Sequence, residues 1–373
     1  MENKFFNDIH YKFGFGCMRL PMKGEDVDYD QVSKMVDEFL AKGFNYFDTA
    51  HGYIRGLSEV ALKKCLTSRY PRDRYLITNK LSPNHFHKQE DIRPLFEEQL
   101  KACGVDYFDF YLMHAQGRRN YPDYKAARAY ETAFELKKEG KIKHVGLSFH
   151  DTADILEMIL KENPEIEVVQ LQLNYLDWED EDVQSRLCYE VCRKYNKPVI
   201  VMEPVKGGQL ANLPPNAARI IESLHGGSPA SYALRFAAGL DRVMMVLSGM
   251  SSIEQMEDNI SFMGESFQKL NAEERAAIDK VVRVFHGANN IPCTSCRYCV
   301  DGCPKKIVIP VLFNCLNAKR TDPNWNADLY YENVYQAKSA KASECIKCGA
   351  CERVCPQHLP IRNLLEEVVE EFE

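Results

Sequence analysis

Short apolar runs alternate with longer amphipathic segments up to about residue 264 of the chain. The runs are rich in β-branched and aromatic residues, as buried strands are, whereas the segments between them repeat their apolar positions with a helical period. The predicted strands are residues 13–20, 44–49, 75–81, 108–114, 144–148, 168–174, 199–204 and 243–248. Helices predicted between them include residues 91–103, 132–139, 155–161, 182–195 and 229–238. This alternation predicts repeated βα units and a parallel sheet.

Eight strands alternating with helices favour a closed (β/α)₈ TIM barrel over an open doubly wound sheet, which usually has fewer strands and an early phosphate-binding loop. No G-x-G-x-x-G follows the first strand, because Gly14 and Gly16 lie in FGFGCMRLP and Pro21 stands where a helix would begin. We therefore expect the two glycines to let the backbone turn at a barrel opening.

A further helical segment, residues 271–285, leads into a cysteine-rich end. The full length of 373 residues accommodates one barrel and a smaller appended domain, since such barrels take roughly 250 residues. The sequence predicts a barrel over residues 1–286 and a smaller, mainly helical, ferredoxin-like domain over residues 287–373.

The net charge of −7 is spread without a long block of either sign, so there is no electrostatic footprint for nucleic acid or an anionic membrane. The first residues lack the basic-then-apolar run of a secretory signal, and no apolar stretch reaches about 18 residues. We expect a cytoplasmic protein with no nucleic acid or membrane partner. Its partners are then a small molecule or another protein.

Four reactive side chains stand at or just after the ends of three consecutive predicted strands, where barrels of this kind carry catalytic groups. Asp48 and Tyr53 lie in FDTAHGY, Lys80 in ITNKL and His114 in FYLMH. Each alone has an ordinary explanation as a helix cap, a packed ring or a solvated strand end. Together they suit carbonyl reduction, because an adjacent ammonium lowers the pKa of a phenol from its usual value of about 10.

In order and approximate spacing, these residues resemble the Asp, Tyr, Lys and His tetrad of the aldo-keto reductases, over roughly residues 10–265. The resemblance implies hydride transfer from NADPH or NADH to an aldehyde or ketone, or the reverse oxidation of an alcohol. It also implies that Tyr53 is the general acid and that Lys80 lowers its pKa. Asp48 would hold Lys80, and His114 would orient or polarise the substrate carbonyl.

The later strands resemble the nicotinamide site of the same family. Ser148 in GLSFH and Gln170 in VVQLQLNY stand where the family binds the carboxamide. The asparagine that commonly follows the serine is Phe149 here, so His150 is expected to substitute for it. The aromatic residue that usually stacks on nicotinamide is Met202 in VMEPVKGG.

The segment LSGMSSIEQMEDNI resembles the part of the family that wraps the adenosine and pyrophosphate, where a helix N-terminus suits an anion. The expected cofactor contacts are Gly249, Ser251, Ser252, Gln255 and Asn259. Gln255 falls where many NADPH-preferring relatives carry an arginine, whose fork suits a 2′-phosphate. The sequence therefore does not choose between NADH and NADPH as the cofactor. The alternative that this segment is simply a polar last helix also stays open.

Two cysteine runs share the spacing C-x₂-C-x₂-C-x₃-C-P, which is that of proteins with two [4Fe–4S] clusters. In this arrangement the fourth cysteine of each run ligates the other cluster. Cluster one would use Cys293, Cys296, Cys299 and Cys355, and cluster two would use Cys345, Cys348, Cys351 and Cys303. Zinc and disulfides are the alternatives, but structural zinc sites generally bring their ligands as two separated pairs.

The two halves pose a question of electron count, because nicotinamide gives two electrons as a hydride whereas each cluster normally takes one. The leading hypothesis is an NAD(P)H-dependent carbonyl reductase or alcohol dehydrogenase whose clusters stabilise the protein, sense oxygen or contact a partner. A second is an electron-transfer enzyme that exchanges electrons with ferredoxin or another redox protein. A third is a non-catalytic redox sensor, which would have no need of a complete tetrad. The chain shows no flavin fingerprint, although barrels can bind flavin without one.

Overall fold

The structure is a computed structural model that describes residues 5–180, 183–287, 290–321, 331 and 339–373. It divides into two compact units. The first comprises Met1–Pro204 with Leu234–Lys269, and the second comprises Val205–Ala233 with Leu270–Glu373. These units are defined by packing, and the domain boundary at residue 287 stays a prediction.

The first unit contains a closed barrel of eight parallel strands. They are β1 (Phe13–Gly16), β2 (Tyr46–Asp48), β3 (Leu76–Leu81), β4 (Phe108–Gln116), β5 (Ile142–Phe149), β6 (Val168–Gln172), β7 (Val199–Met202) and β8 (Val243–Gly249). Each strand pairs with its successor, and β8 closes the barrel by pairing with β1. The predicted TIM barrel is therefore confirmed.

Helices follow the strands as βα units require. They are α1 (Tyr29–Ala41), α2 (Leu57–Leu62), α3 (Gln89–Cys103), α4 (Tyr121–Ala126), α5 (Ala129–Lys138), α6 (Ala153–Glu162), α7 (Ser185–Lys194), α8 (Pro215–Glu222), α9 (Pro229–Ala238) and α10 (Ile253–Met263). A hairpin of two short strands, Met22–Lys23 and Asp26–Val27, precedes α1. A π-helical turn, Lys63–Thr67, follows α2.

The barrel core is tight enough to require glycine where strands meet. All six residues of β3 are buried, as expected for a strand covered on both faces. A Cβ added to Gly146 in β5 would lie 2.5 Å from the carbonyl oxygen of Val168 in β6. The close approach of these two strands therefore depends on the missing side chain.

The second unit is mainly helical and includes α8. Its other helices are α11 (Ala272–Gly287), α12 (Tyr298–Asp301), α13 (Ile309–Thr321), α14 (Ala350–Arg353) and α15 (Ile361–Phe372). The predicted helix at residues 271–285 corresponds to α11. Within the described part of the chain, no helix combines the length and apolar character needed to cross a bilayer.

The cysteine-rich part of this unit is an internal repeat. Helices α12 and α13 begin at residues 298 and 309, and their counterparts α14 and α15 begin at residues 350 and 361, in both cases 52 positions later. Left-handed backbone also recurs at this interval, in the pairs Ser295 and Lys347, Arg297 and Gly349, and Lys306 and His358. The two cysteine runs therefore share one local fold.

Observed element bounds differ from the predicted ones in understandable ways. The first strand ends at Gly16 rather than at residue 20, because Cys17–Arg19 form a 3₁₀ turn before Pro21. The helix predicted to start at residue 182 begins at Ser185, and Asp182 itself lies outside the described residues.

Candidate functional site

The structure brings the four predicted tetrad residues together at the carboxyl ends of neighbouring strands. Asp48 is the last residue of β2, Lys80 lies near the end of β3 and His114 lies near the end of β4. Tyr53 opens a 3₁₀ turn that follows β2. Because β2, β3 and β4 are adjacent parallel strands, their ends meet at one rim of the barrel.

Lys80 is the centre of this arrangement, and its side chain is fully buried. Its Nζ donates to Asp48 Oδ1 at 2.6 Å, to the backbone oxygen of Thr49 at 2.8 Å and to the hydroxyl of Tyr53 at 3.3 Å. Asp48 Oδ2 accepts from Gln170 Nε2 at 3.2 Å. The ammonium is thus held by three oxygens, one of which is the phenol.

Burial acts on both members of the Asp48–Lys80 pair. It raises the pKa of Asp48 and lowers the pKa of Lys80, because a low-dielectric environment disfavours a charge. The opposite charge of each partner opposes the shift of the other. The hydrogen bond of 2.6 Å between them therefore joins two groups whose charges each depend on the partner.

Tyr53 is partly exposed at the rim, yet its phenol is surrounded by protein groups. Burial raises the pKa of Tyr53 well above its usual value, and the negative charges of Asp48 and Glu203 raise it further. The lowering of the Tyr53 pKa that was expected from Lys80 does not outweigh these effects in this structure. The phenol is therefore protonated over the whole neutral range.

His114 is a neutral imidazole. Burial lowers the pKa of His114 well below its usual value, and the nearby charge of Lys80 and then the neighbouring His150 add to the effect. Its Nδ1 shares a hydrogen bond of 2.7 Å with Ser82 Oγ. Its ring meets that of Tyr53 edge-on at 5.9 Å between centroids. A neutral ring held by Nδ1 can present Nε2 to a ligand.

The residues expected at the nicotinamide lie on the next strands of the barrel. Ser148 in β5 is buried and accepts the backbone N–H of Ala115 at 2.7 Å. Gln170 in β6 donates to Asp48 as described above, which links this group to the tetrad. Met202 ends β7, and the backbone N–H of His150 donates to the carbonyl of Gln116 at 2.9 Å.

The residues expected at the pyrophosphate and adenosine lie at or near the start of α10. Ser252 caps this helix and accepts from the backbone N–H of Gln255, while the side chain of Gln255 accepts from the backbone N–H of Ser251 at 2.8 Å. Gly249 ends β8. Asn259 is buried and donates to Ser248 Oγ at 3.2 Å.

Sequence reasoning did not identify three residues at this rim. Ser82 lies just after β3, and its hydrogen bond to Nδ1 of His114 fixes the orientation of that ring. The Arg19 side chain lies against Gly249, about 3.2 Å from where a Cβ would be, and approaches Glu203 at 3.9 Å. Ser82 and Glu203 lie in loops, and Arg19 ends the 3₁₀ turn Cys17–Arg19. The one available signal was a cation in FGFGCMRLP close to the first strand.

A buried hydrogen-bond network holds the backbone of Lys80. The side chain of Asn79 accepts the backbone N–H of Lys80 at 2.8 Å and donates to Glu59 at 2.8 Å. Gln99 donates to the backbone oxygen of Lys80 at 2.9 Å. Glu59 also contacts His51 Nδ1 at 2.9 Å, and this hydrogen bond is the main cause that raises the pKa of His51. The backbone on both sides of the ammonium-bearing residue is therefore fixed.

The eight cysteines of the two runs line two separate spaces in the second unit. Cavity one is lined by Cys293, Cys296, Cys299 and Cys355. Cavity two is lined by Cys345, Cys348, Cys351 and Cys303. In each cavity the fourth cysteine comes from the other repeat.

The thiols surround these spaces without closing on a point. Among the described residues, no group of three or more His, Cys, Asp or Glu side chains is arranged to hold a single metal ion. A tetrahedral zinc site needs sulfur atoms about 2.3 Å from the metal. The four cysteines in each lining match the number of thiolates that one [4Fe–4S] cluster takes.

Two known protein families match different parts of the chain. The profile of the Aldo/keto reductase family matches residues 12–283, and that of the 4Fe-4S dicluster domain matches residues 292–359. An NADH-specific methylglyoxal reductase of Escherichia coli is 26% identical over 272 residues, which cover 62% of this chain and 82% of the relative.

Solved aldo-keto reductase structures resemble this chain over 72–73% of its length. The holo form of an aldo-keto reductase from Bacillus halodurans is 27% identical with a TM-score of 0.58, over 72% of this chain and 91% of that one. An aldo-keto reductase from Klebsiella pneumoniae in complex with NADPH shares the fold, with a TM-score of 0.60 and 20% identity over 73% of this chain and 90% of that one.

Proposed function

The chain belongs to the aldo/keto reductase family, and on this premise we propose that it reduces an aldehyde or ketone with NADPH or NADH, using Tyr53 as the proton donor. The reverse reaction, oxidation of the alcohol, uses the same groups. The observation that carries the proposal is the contact of Lys80 Nζ with both Asp48, at 2.6 Å, and the Tyr53 hydroxyl, at 3.3 Å.

The residues around the tetrad suit a nicotinamide nucleotide. Ser148 accepts a hydrogen bond through its oxygen, so its hydroxyl proton can be donated to a carboxamide. Gln170 donates through Nε2, so its Oε1 can accept from a carboxamide. Met202 offers a polarisable apolar surface. His150, Gly249, Ser251, Ser252, Gln255 and Asn259 complete the proposed set. When bound, the nicotinamide supplies a hydride to the carbonyl carbon.

The chain's own residues handle the proton. The Tyr53 hydroxyl donates its proton to the carbonyl oxygen as negative charge develops there. The ammonium of Lys80 then stabilises the phenolate, at the distance already present in the structure. His114, neutral and fixed by Ser82, donates a hydrogen bond that orients the carbonyl.

The test is Tyr53→Phe, which removes the phenolic proton and keeps the ring. We expect the turnover of a small carbonyl such as methylglyoxal to fall by about 10²–10⁴-fold. Tyr29→Phe, which changes a tyrosine in contact with Asp26 of the hairpin, is the matched control and should keep the native rate. The measurement is consumption of NADPH or NADH under anaerobic conditions. Unchanged turnover by Tyr53→Phe would remove Tyr53 from the proton-donor role.

We infer that the two thiol sets hold two [4Fe–4S] clusters, with the ligands divided as the cavities divide them. The match of residues 292–359 to a 4Fe-4S dicluster domain and the sharing of the fourth cysteine between repeats support this assignment. When bound, such clusters supply one-electron transfer.

The cluster sites support a second candidate function, in which the protein exchanges electrons between a nicotinamide or substrate site and a ferredoxin-like partner. The test is anaerobic mixing of cluster-replete protein with NADH or NADPH while the visible absorbance of the clusters is followed. Bleaching without added carbonyl or flavin supports electron transfer. Nucleotide binding without bleaching supports a self-contained hydride enzyme whose clusters serve structure or a partner.

A further inference from the structure

The internal repeat makes the two thiol cavities comparable position by position. Cavity one has Thr294 and Gln357 in its lining, and cavity two has Ile346 and Lys305 at the positions 52 residues away. The local backbone is the same in both repeats, as the paired left-handed residues show. Differences between the cavities therefore come from side chains and from what covers them.

At cavity one, the side chains that differ between the repeats are buried. Thr294 and Gln357 are both buried. The carbonyl of Cys293 accepts from Gln209 Nε2 at 2.5 Å. Gly207 lies so close that an added Cβ would be 2.0 Å from the carbonyl oxygen of Thr294. The segment that carries Gly207 and Gln209 thus covers the start of the first cysteine run.

At cavity two, the corresponding side chains are exposed. Cys348 is exposed, whereas its counterpart Cys296 is only partly so. Ile346, which lines the cavity, is 56% exposed, and Val354 is 45% exposed. These belong to the small set of large apolar residues left open to solvent among the described residues. The lining of cavity two therefore includes an exposed apolar side chain, Ile346, and an exposed thiol, Cys348.

Four cationic side chains lie in the lining of cavity two or close to its lining residues in sequence or space. They are Lys305, Lys347, Arg353 and Arg362. The guanidinium groups of Arg353 and Arg362 flank Gly349, within 3.7 and 3.9 Å of where its Cβ would be. Two carboxylates accompany them, since Glu366 pairs with Lys347 and Glu352 with Arg362. Glu344, nearby in sequence, accepts the backbone N–H of Lys341.

From this asymmetry we propose that cluster two is the port at which the protein exchanges single electrons with an acidic carrier protein. The carrier docks on Ile346 and Val354. Its carboxylates face Lys305 and Arg353, and they approach Lys347 and Arg362 beside the carboxylates that already pair with them. An apolar centre within a charged rim is the usual anatomy of a protein interface, and opposite charge speeds encounter. In the exchange the reduced carrier loses one electron and cluster two gains it, with no bond made or broken. The proposal rests on the presence of both clusters.

The experiment uses the full-length protein with its clusters reconstituted. Iron analysis and electron paramagnetic resonance first establish two [4Fe–4S] clusters, which tests the proposed function separately. A pre-reduced acidic ferredoxin is then mixed with the oxidised protein in a stopped-flow instrument, and dithionite serves as a reductant that needs no docking. The variants are Lys347→Glu and Ile346→Ser. Arg297→Glu is the matched control, because it reverses an exposed charge beside the first cysteine run.

We expect ferredoxin to reduce the native protein rapidly, and Lys347→Glu to slow this step on the order of tenfold at low salt. The loss should shrink as salt rises, since exposed charges are screened. Ile346→Ser should slow the step at all salt concentrations, and dithionite should reduce every variant equally. Equal slowing by Arg297→Glu would overturn the proposal. So would dimerisation of the native protein through this face, seen by sedimentation and abolished by Ile346→Ser, or reduction by dithionite without reduction by ferredoxin.

Discussion

The ion pair between Lys80 and Asp48 is enclosed by the barrel, where an unpaired charge would have no water to stabilise it. Lys80→Met leaves the carboxylate of Asp48 buried without its cation. We expect this change to lower the free energy of unfolding by about 3–5 kcal/mol. The measurement is denaturant unfolding followed by circular dichroism.

The double variant Asp48→Asn with Lys80→Met is the control for that prediction. It removes both charges and keeps an amide near Gln170, so about 1–3 kcal/mol of the loss should return. A Lys80→Met protein as stable as the native one would show that the ammonium is held for chemistry alone.

The tetrad could be predicted from sequence because a parallel barrel brings the carboxyl ends of adjacent strands together. Reactive residues at the ends of three consecutive strands therefore lie close together at one rim of the barrel. The pKa of Tyr53 could not be predicted, because burial and the charge of Glu203 depend on how the loops fold over the phenol. Ser82 and Arg19 were missed for the same reason, since each lies in a connection that follows a barrel strand.

The strands and helices of the barrel were predictable because their periods differ so clearly. Strand β3 is observed within one residue of its predicted start, and α9 has the predicted bounds. By contrast, nothing in the sequence indicated that Val205–Ala233 would pack with the cysteine-rich unit. Such an assignment depends on long-range contacts that periodicity does not encode.

The segment after β7 provides a test of that packing. Gly207 has a φ of 64°, and an added Cβ would meet the carbonyl oxygen of Thr294 at 2.0 Å. Gly207→Ala should therefore displace the backbone beside Cys293 and lower the iron content of the reconstituted protein. Because left-handed backbone alone costs a residue with a Cβ about 1–2 kcal/mol, a control with the same φ is needed.

Gly24→Ala supplies this control. Gly24 has a φ of 66°, and nothing lies within 4 Å of its added Cβ. It should share the modest loss of thermal stability caused by the backbone but keep a full complement of iron. Equal iron content in the two variants would show that Gly207 is not required for seating cluster one.

The arrangement of the two cysteine runs predicts which cluster each cysteine variant loses, because the fourth thiol of each cavity comes from the other run. Cys355→Ala alters the second run but removes a ligand of cluster one. It should lose about half of the iron, since each cluster takes four thiolates, and should still be reduced by an acidic ferredoxin through cluster two.

Cys303→Ala is the counterpart, since it alters the first run but removes a ligand of cluster two. It should lose a similar share of iron together with the rapid ferredoxin reaction. The two variants differ in which repeat carries the change, so they separate crossed ligation from ligation within each run. If Cys355→Ala lost the ferredoxin reaction while Cys303→Ala kept it, each run would hold its own cluster, and cluster two would still be the port.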